Sequence, residues 1–427
     1  MKTAKFTALA LSVLLCFSAC ADGSDSVSNP AAGTTSGETG NPDKTTSSDI
    51  QPSDTSDKTT PAPVVKENID FAAFDGEIEE TAASLGVVGM GVSVFAEGEV
   101  IYTTSYGYAD REAGISADSD TLYRAASVSK MISSLVLMTL YDNGVITPYS
   151  ELEAVTGFPY NNPALDEPVL LWHLLTHTAG IVDTYVYDDS PIDKPSLDYV
   201  LSASYNGYAP GTYYIYSNFG AGTIGGIVER LTGEFFHDYA DRALFQPLGM
   251  DAGYCIDLIG SRDNAANLYN YGDLQFSPKS WGRTTAYYES YGLGNSYLSA
   301  QCELLITTAD LARLGILLAG DGSVDGISIL SKDAVNAMNA TYYTDDDLEF
   351  DMGLCVRKYN ENLVSGRMIH GHPGLAYGSV NGLFYDPSDG TGVAICSIGS
   401  PPSVNEDNGV YELLNECVNI VYDTFFG

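Results

Sequence analysis

The period of the apolar positions changes several times along this chain, and each change marks an element. Over residues 69–85 apolar and acidic residues recur at helical spacing. Residues 87–96 form a β-branched and glycine run, which Glu97-Gly98-Glu99 interrupts before a second run at 100–106, predicting a hairpin. Met131, Ile132, Leu135, Val136 and Met138 fall on one helical face, and Gly144 is a natural stop for that helix. Residues 145–300 alternate Tyr-, Pro- and Gly-rich loops with helical stretches at 169–176, 219–231 and 235–244. A further helix is predicted at 308–319. Strand patterns follow at 353–359, 366–370, 379–385 and 392–398, and a closing helix at 410–425. The sum is an α+β plan. An antiparallel sheet built from both ends of the chain is flanked by helices, and a largely helical subdomain is inserted at about 145–300.

The first residues follow a different pattern. Lys2 and Lys5 precede an apolar core at 8–17, as in a secretory leader. Ser18-Ala19-Cys20 resembles the end of a bacterial lipobox, with Phe17 where Leu is usual. Residues 1–19 are therefore expected to be a signal peptide, with Cys20 lipidated and the protein anchored on the extracytoplasmic face of the membrane. Cleavage and plain secretion is the alternative. The apolar run is shorter than the ~20 residues of a bilayer span. Residues 20–66 are rich in Ser, Thr, Pro, Gly and Asp and lack large apolar side chains. Such a segment cannot bury enough surface to fold, and as a disordered tether it would reach roughly 35–40 Å. Residues 67–427 show no second low-complexity linker and no internal repeat, which predicts one folded unit with two subdomains.

The formal net charge of −37 repels nucleic acid and anionic membrane surfaces. No nucleic-acid partner is expected, and membrane contact is expected through the lipid anchor only. After Cys20 five cysteines remain, at 255, 302, 355, 396 and 417, without C-x-x-C spacing. That excludes a full disulfide framework or a zinc site of the usual kind, and leaves one or two disulfides open.

Candidate chemistry begins at Ser127-Val-Ser-Lys130, where the long apolar helix starts. A serine hydroxyl needs a base to become a nucleophile, and residues three apart share a helical face, so Lys130 reaches Ser127. The helix N-terminus adds N–H donors where an oxyanion would form. Tyr216-Ser-Asn218 supplies a phenol as a candidate base and proton donor, and an amide to hold the lysine and a substrate carbonyl. Tyr141-Asp-Asn143 and Tyr160-Asn-Asn162 share that spacing, so it is weak alone. In His370-Gly-His372-Pro-Gly374, residues two apart on a strand point to one side, so both histidines are expected to face one cleft, with His372 beside the nucleophile. The N–H of Leu375 would pair with that of Ser127 as an oxyanion hole. A metal pair there has no third ligand nearby in sequence. His173-x-x-x-His177 lacks the glutamate of a zinc helix and reads as structural. No Gly-x-Ser-x-Gly elbow or phosphate-binding loop is present.

In their order, Ser127-x-x-Lys130, Tyr216-x-Asn218 and His372-x-Gly374 resemble the penicillin-recognising serine hydrolases. The branch is the class C β-lactamase-related group, which also holds D-alanyl-D-alanine carboxypeptidases, D-aminopeptidases and esterases. Leu174-Leu-Thr-His177-Thr-Ala-Gly180-Ile is similar to that group's "LLTHTSGL" segment, and Phe245-Gln-Pro-Leu-Gly-Met250 and Thr307-Thr-Ala-Asp310-Leu-Ala are typical of it. The resemblance implies that Ser127 is acylated and that Lys130 and Tyr216 transfer its proton. Asn218, His372, Gly374 and Leu375 would bind substrate, with no cofactor. One departure stands out: class C β-lactamases carry a lysine at the place of His372. A mostly neutral histidine attracts a β-lactam carboxylate less, which ranks peptide or ester hydrolysis above antibiotic hydrolysis. The expected substrate is a small molecule or a peptidoglycan peptide. A non-catalytic cell-wall binding or sensing lipoprotein is the rival reading.

Overall fold

The computed structural model describes residues 65–184, 195–270, 272–277 and 282–426. The leader, Cys20, the tether up to residue 64, and Tyr185 and Tyr187 lie outside the described residues. At the tether's far end, Val65 bridges Phe426 and the Lys66 N–H donates to the Phe425 carbonyl at 2.9 Å.

The central sheet is antiparallel and joins the two ends of the chain. Its strands are β1 (Gly89–Ala96), β2 (Glu99–Asp110), β3 (Ile115–Ser116), β4 (Asp351–Met352), β5 (Arg357–Asn360), β6 (Met368–Ala376), β7 (Ser379–Asp386) and β8 (Thr391–Ile398), in the spatial order β4-β5-β6-β7-β8-β1-β2-β3. The seam between the ends is β1 against β8, with Val92 opposite Ile395. The predicted hairpin closes on Glu97 (φ 56) and Gly98 (φ 80), the left-handed pair that a tight two-residue turn requires.

Helices cover both faces. On one, α1 (Phe71–Ser84) packs with the closing helix α5 (Glu412–Phe425) over Met90, Val92 and Ile395, with Phe74 edge-on to Phe425 at 5.0 Å. Asp70 caps α1 by accepting the Ala73 N–H. On the other face lie α2 (Val128–Asp142) and α4 (Thr308–Ala319), the latter capped by Thr307. Every residue of α2 from Val128 to Leu140 is buried, because sheet and helical subdomain enclose it from both sides. Its hydroxyls must then find partners: Ser133 donates to the Ala300 carbonyl at 2.7 Å and Ser134 to that of Leu354 at 3.1 Å.

Several boundaries differ from the pattern reading. The run at 353–359 is split, because Cys355 adopts φ 57 and donates its N–H to Leu175 of the helical subdomain. The stretch at 219–231 divides into α3 (Asn218–Gly222) and Ile224–Thr232, meeting at Thr223, whose hydroxyl bonds back to the Gly220 carbonyl. The strand at 366–370 continues to Ala376, so His372 and Gly374 lie inside a strand rather than at its end. Among the described residues the cysteines at 255, 302, 355, 396 and 417 form no disulfide. No described helix is long and apolar enough to cross a membrane.

Candidate active site

Ser127 is the N-cap residue of α2. The chain reaches it from the short strand Tyr123–Arg124, pinned against Leu305–Ile306, through Ala126 at φ 50. One turn into α2, Lys130 is fully buried, and its Nζ donates to Ser127 Oγ (3.0 Å), Asn218 Oδ1 (2.9 Å) and the Gln301 carbonyl (3.0 Å). The Tyr216 hydroxyl donates to the same Ser127 Oγ at 2.8 Å. Asn218 Oδ1 and the Gln301 carbonyl only accept, so they hold two N–H groups of Lys130 and leave its third direction aimed at Ser127.

His177 sets the position of Tyr216. Its Nδ1 accepts the Ser217 N–H at 3.2 Å, so the ring proton is on Nε2, and the ring lies 4.4 Å from that of Tyr216. Burial, then the charges of Lys130 and Arg357, hold its pKa well below the usual range. His173 Nδ1 accepts the Leu170 N–H at 3.0 Å at the start of its own helix, and burial lowers its pKa to about 4. Both histidines of this pair are structural, each Nδ1 accepting from a backbone N–H.

On β6 the two histidines separate. His370 Nδ1 bonds Asn339 Oδ1 at 2.8 Å, in a cluster with Tyr385, and belongs to a different site from His372. The shared cleft expected from their spacing is not formed, because Asn339 captures one ring. His372 Nδ1 donates to the Pro373 carbonyl at 2.6 Å, which leaves Nε2 as a bare acceptor with no hydrogen-bond partner. Burial, then Arg357 and Lys130, keep this ring neutral. Its centroid lies 6.4 Å from that of Tyr216, and it makes no hydrogen bond to Ser127.

Gly374 is where β6 crosses the start of α2. A Cβ there would fall 2.8 Å from the Ala125 carbonyl oxygen and 2.9 Å from the Ser127 nitrogen. Beyond Gly371, β6 pairs with β7 alone, so its other edge carries no described strand. The Pro373 carbonyl, taken by His372, faces that edge, where a missing N–H costs the ladder nothing. By alternation the N–H of Leu375 shares that edge.

Sequence reasoning missed three contributors. Arg357 on β5 is buried, with its guanidinium 4.4 Å from the Phe350 ring and 5.9 Å from that of Tyr216. Among the described residues no carboxylate pairs with it, and its Nε has no hydrogen-bond partner. Burial opposes its charge, but the phenols of Tyr214, Tyr359 and Tyr216 outweigh burial and raise its pKa above the usual value. Gln301 acts through its carbonyl, which no side-chain motif announces. Asp183, three residues beyond Gly180, bonds Asn218. Backbone strain gathers here too: Ala126, His177 and Cys355 all have positive φ, beside the nucleophile, under Tyr216 and in the loop before Arg357. Of the tyrosines crowding 183–216, Tyr208 and Tyr213 stack at 4.6 Å on the surface, while Tyr214 packs on Phe350.

A family model described as Beta-lactamase matches residues 74–416. Penicillin-binding protein 4 of Amycolatopsis lactamdurans is 25% identical over 269 residues, 61% of this chain and 68% of that protein. Esterase EstB of Burkholderia gladioli is 32% identical over 203 residues, 43% of this chain and 51% of its own length. Among solved structures, the octameric penicillin-binding protein homologue from Pyrococcus abyssi superposes with a TM-score of 0.64 at 24% identity, covering 78% of this chain and 75% of that one. This last likeness is one of fold.

Proposed function

This chain belongs to the Beta-lactamase family, and from that membership we propose that it hydrolyses a peptide amide or ester through an acyl-enzyme on Ser127. The observation that carries the reading is the convergence of Lys130 Nζ and Tyr216 Oη on Ser127 Oγ, at 3.0 and 2.8 Å. In the amine form, Lys130 keeps its two N–H bonds to Asn218 and Gln301 and turns a lone pair to the Ser127 hydroxyl. The Ser127 proton passes to Nζ as Oγ bonds the substrate carbonyl carbon. The resulting oxyanion is received by the N–H groups of Ser127 and Leu375. The tetrahedral centre collapses and its bond to the leaving group breaks. Tyr216, on the open side of Oγ, gives the leaving group its proton and recovers one from Lys130. Water then adds to the acyl ester, its proton travels to the same pair, and Ser127 is restored.

Arg357 favours a substrate that carries a carboxylate. A buried guanidinium with no acid partner among the described residues is a fork for one, and it supplies the cation that neutral His372 does not. This supports a D-alanyl-peptide carboxypeptidase over an esterase for uncharged substrates. A β-lactam, which also carries a carboxylate, is the second reading. Lipidation at Cys20 and a place facing the cell wall would bring the enzyme to peptidoglycan peptides.

The test is a turnover screen of D-alanyl-D-alanine peptides, p-nitrophenyl esters and nitrocefin, with intact-mass trapping by a fluorophosphonate. We expect one adduct on the wild-type chain, none on Ser127→Ala, and fastest turnover on the peptides. An adduct of equal yield on Ser127→Ala overturns the nucleophile. Acylation without repeated product release would instead indicate a binding or sensing protein.

A further inference from the structure

We propose that Asp183 is a positioning residue for acyl transfer, because it fixes the side-chain amide of Asn218 with the oxygen toward Lys130. The proposal rests on the acyl-transfer reading above. Four donors converge on this one carboxylate. Oδ2 accepts the Asn218 Nδ2–H and the Asn218 backbone N–H, both at 3.1 Å. Oδ1 accepts the Ser217 hydroxyl and the Phe219 N–H, both at 2.8 Å.

The bond to Nδ2 decides the chemistry. An amide has a donating end and an accepting end, and a half-turn about its terminal torsion exchanges them at almost no steric cost. Nothing in the size of Asn218 therefore selects the productive orientation. Asp183 does, since its carboxylate only accepts and so draws Nδ2 to itself. The oxygen at the other end is left facing Lys130 Nζ, 2.9 Å away. In the reversed orientation Nδ2–H would oppose the N–H groups of Lys130, and Oδ1 would oppose the carboxylate. Two charge-assisted attractions would become two repulsions. Lys130 would lose one of the two acceptors that leave its third direction for Ser127 Oγ. The remaining bonds of Asp183 bind the first turn of α3 and serve a separate, structural role. Ser217 Oγ also accepts the Gly220 N–H, so it caps this turn without touching the Asn218 side chain.

A double-mutant cycle on the full chain separates the two roles, reading kcat/KM for p-nitrophenyl acetate together with the melting temperature. Asp183→Asn is expected to lower kcat/KM about 10- to 100-fold, the size of one hydrogen bond to a charged group. In an Asn218→Ala background it should change kcat/KM less than about threefold, as sites acting through one group do not add. Ser217→Ala removes the cap and one bond to Oδ1 but leaves both Asn218 bonds to Oδ2, so it should lower the melting temperature and keep kcat/KM within about threefold of wild type. Asp183→Ser, which admits water to the backbone donors, is the second variant should Asp183→Asn melt early, and the same losses are expected of it. Equal losses in both backgrounds, no loss at all, or a loss in Ser217→Ala as large as in Asp183→Asn would each overturn the proposal. Turnover surviving in Ser127→Ala would instead strike down the acyl-transfer reading itself.

Discussion

Tyr216 Oη and Ser127 Oγ are 2.8 Å apart, although 89 positions separate the two residues. The tyrosine stands at the entrance to α3 in the helical subdomain, and the serine at the entrance to α2 beneath the sheet. Their contact is where the two parts of the molecule meet. Tyr216→Phe removes the bridging hydroxyl and keeps the ring on His177. We expect kcat/KM to fall about 10²- to 10⁴-fold, as for loss of a general acid–base group, with a melting temperature within a few degrees of wild type. Steady-state kinetics and a thermal melt check this, and activity within threefold of wild type would remove Tyr216 from the mechanism.

Gly374→Ala should harm both stability and acylation. The new methyl would meet backbone atoms, the Ala125 oxygen at 2.8 Å and the Ser127 nitrogen at 2.9 Å, and neither can swing aside as a side chain would. Overpacking of this kind costs about 1–3 kcal/mol. A shift of the Ser127 backbone should slow fluorophosphonate labelling at least about tenfold, because small misplacements of a nucleophile are expensive. Urea unfolding and the labelling rate read the two effects separately.

Arg357→Met tests the carboxylate fork. Methionine fills similar space without the charge. KM for a D-alanyl-D-alanine peptide should rise about 10- to 100-fold, while that for an uncharged p-nitrophenyl ester stays within about threefold. The variant should melt no lower than wild type, since a buried cation with no acid partner among the described residues pays desolvation that a thioether does not. Equal effects on both substrates would count against a carboxylate-binding role.

Acid should unfold this protein early. All five histidines of the chain are held below their ordinary range, burial being the first cause in each: His173 to about 4, His370 to about 3, and His177, His237 and His372 lowered as well. Their folded-state pKa values are depressed, so the unfolded chain takes up protons first. The stability they contribute is present above about pH 6.5 and is lost as pH falls toward 4. Glu229 acts in the opposite sense. Its carboxylate accepts the N–H groups of Phe236, Gly294 and Ser296, but burial prevails and raises its pKa to about 7. The folded state therefore keeps this proton between about pH 4.5 and 7, where the unfolded chain has lost it. Below about pH 6.5 the five histidines favour the unfolded chain and Glu229 alone favours the folded one, so the net effect of acid is destabilising. Urea midpoints between pH 8 and 5 should fall steeply below 6.5; a flat profile would contradict the buried neutral histidines.

Much of the scaffold was legible before any coordinates. The alternation in residues 87–106 and the turn at Glu97-Gly98 gave β1 and β2, and the apolar face beginning at Met131 gave α2. Ser127 and Lys130 could be paired because three residues along a helix is a fixed displacement. The Tyr216 motif was one of three equal matches by spacing, and the order of the motifs singled it out. The break at Cys355 was not legible, since it accompanies a bond to Leu175, a residue that only folding brings near; the break at Thr223 is local, a hydroxyl bonding back to the Gly220 carbonyl.

What the linear chain determined by itself was periodicity: which segments coil, which extend, and which neighbours in a helix share a side. Those are short-range consequences of backbone geometry and hold wherever the segment ends up. What the tertiary structure decided was the company each polar group keeps. It sent His370 to Asn339 and left His372 a bare nitrogen, brought the Gln301 carbonyl to Lys130, set Arg357 among phenols with no acid from the described residues, and turned Asn218 by means of Asp183. A buried hydrogen-bond partner or a missing counter-charge is a relation across tens to hundreds of residues, and the separation along the chain carries no trace of it.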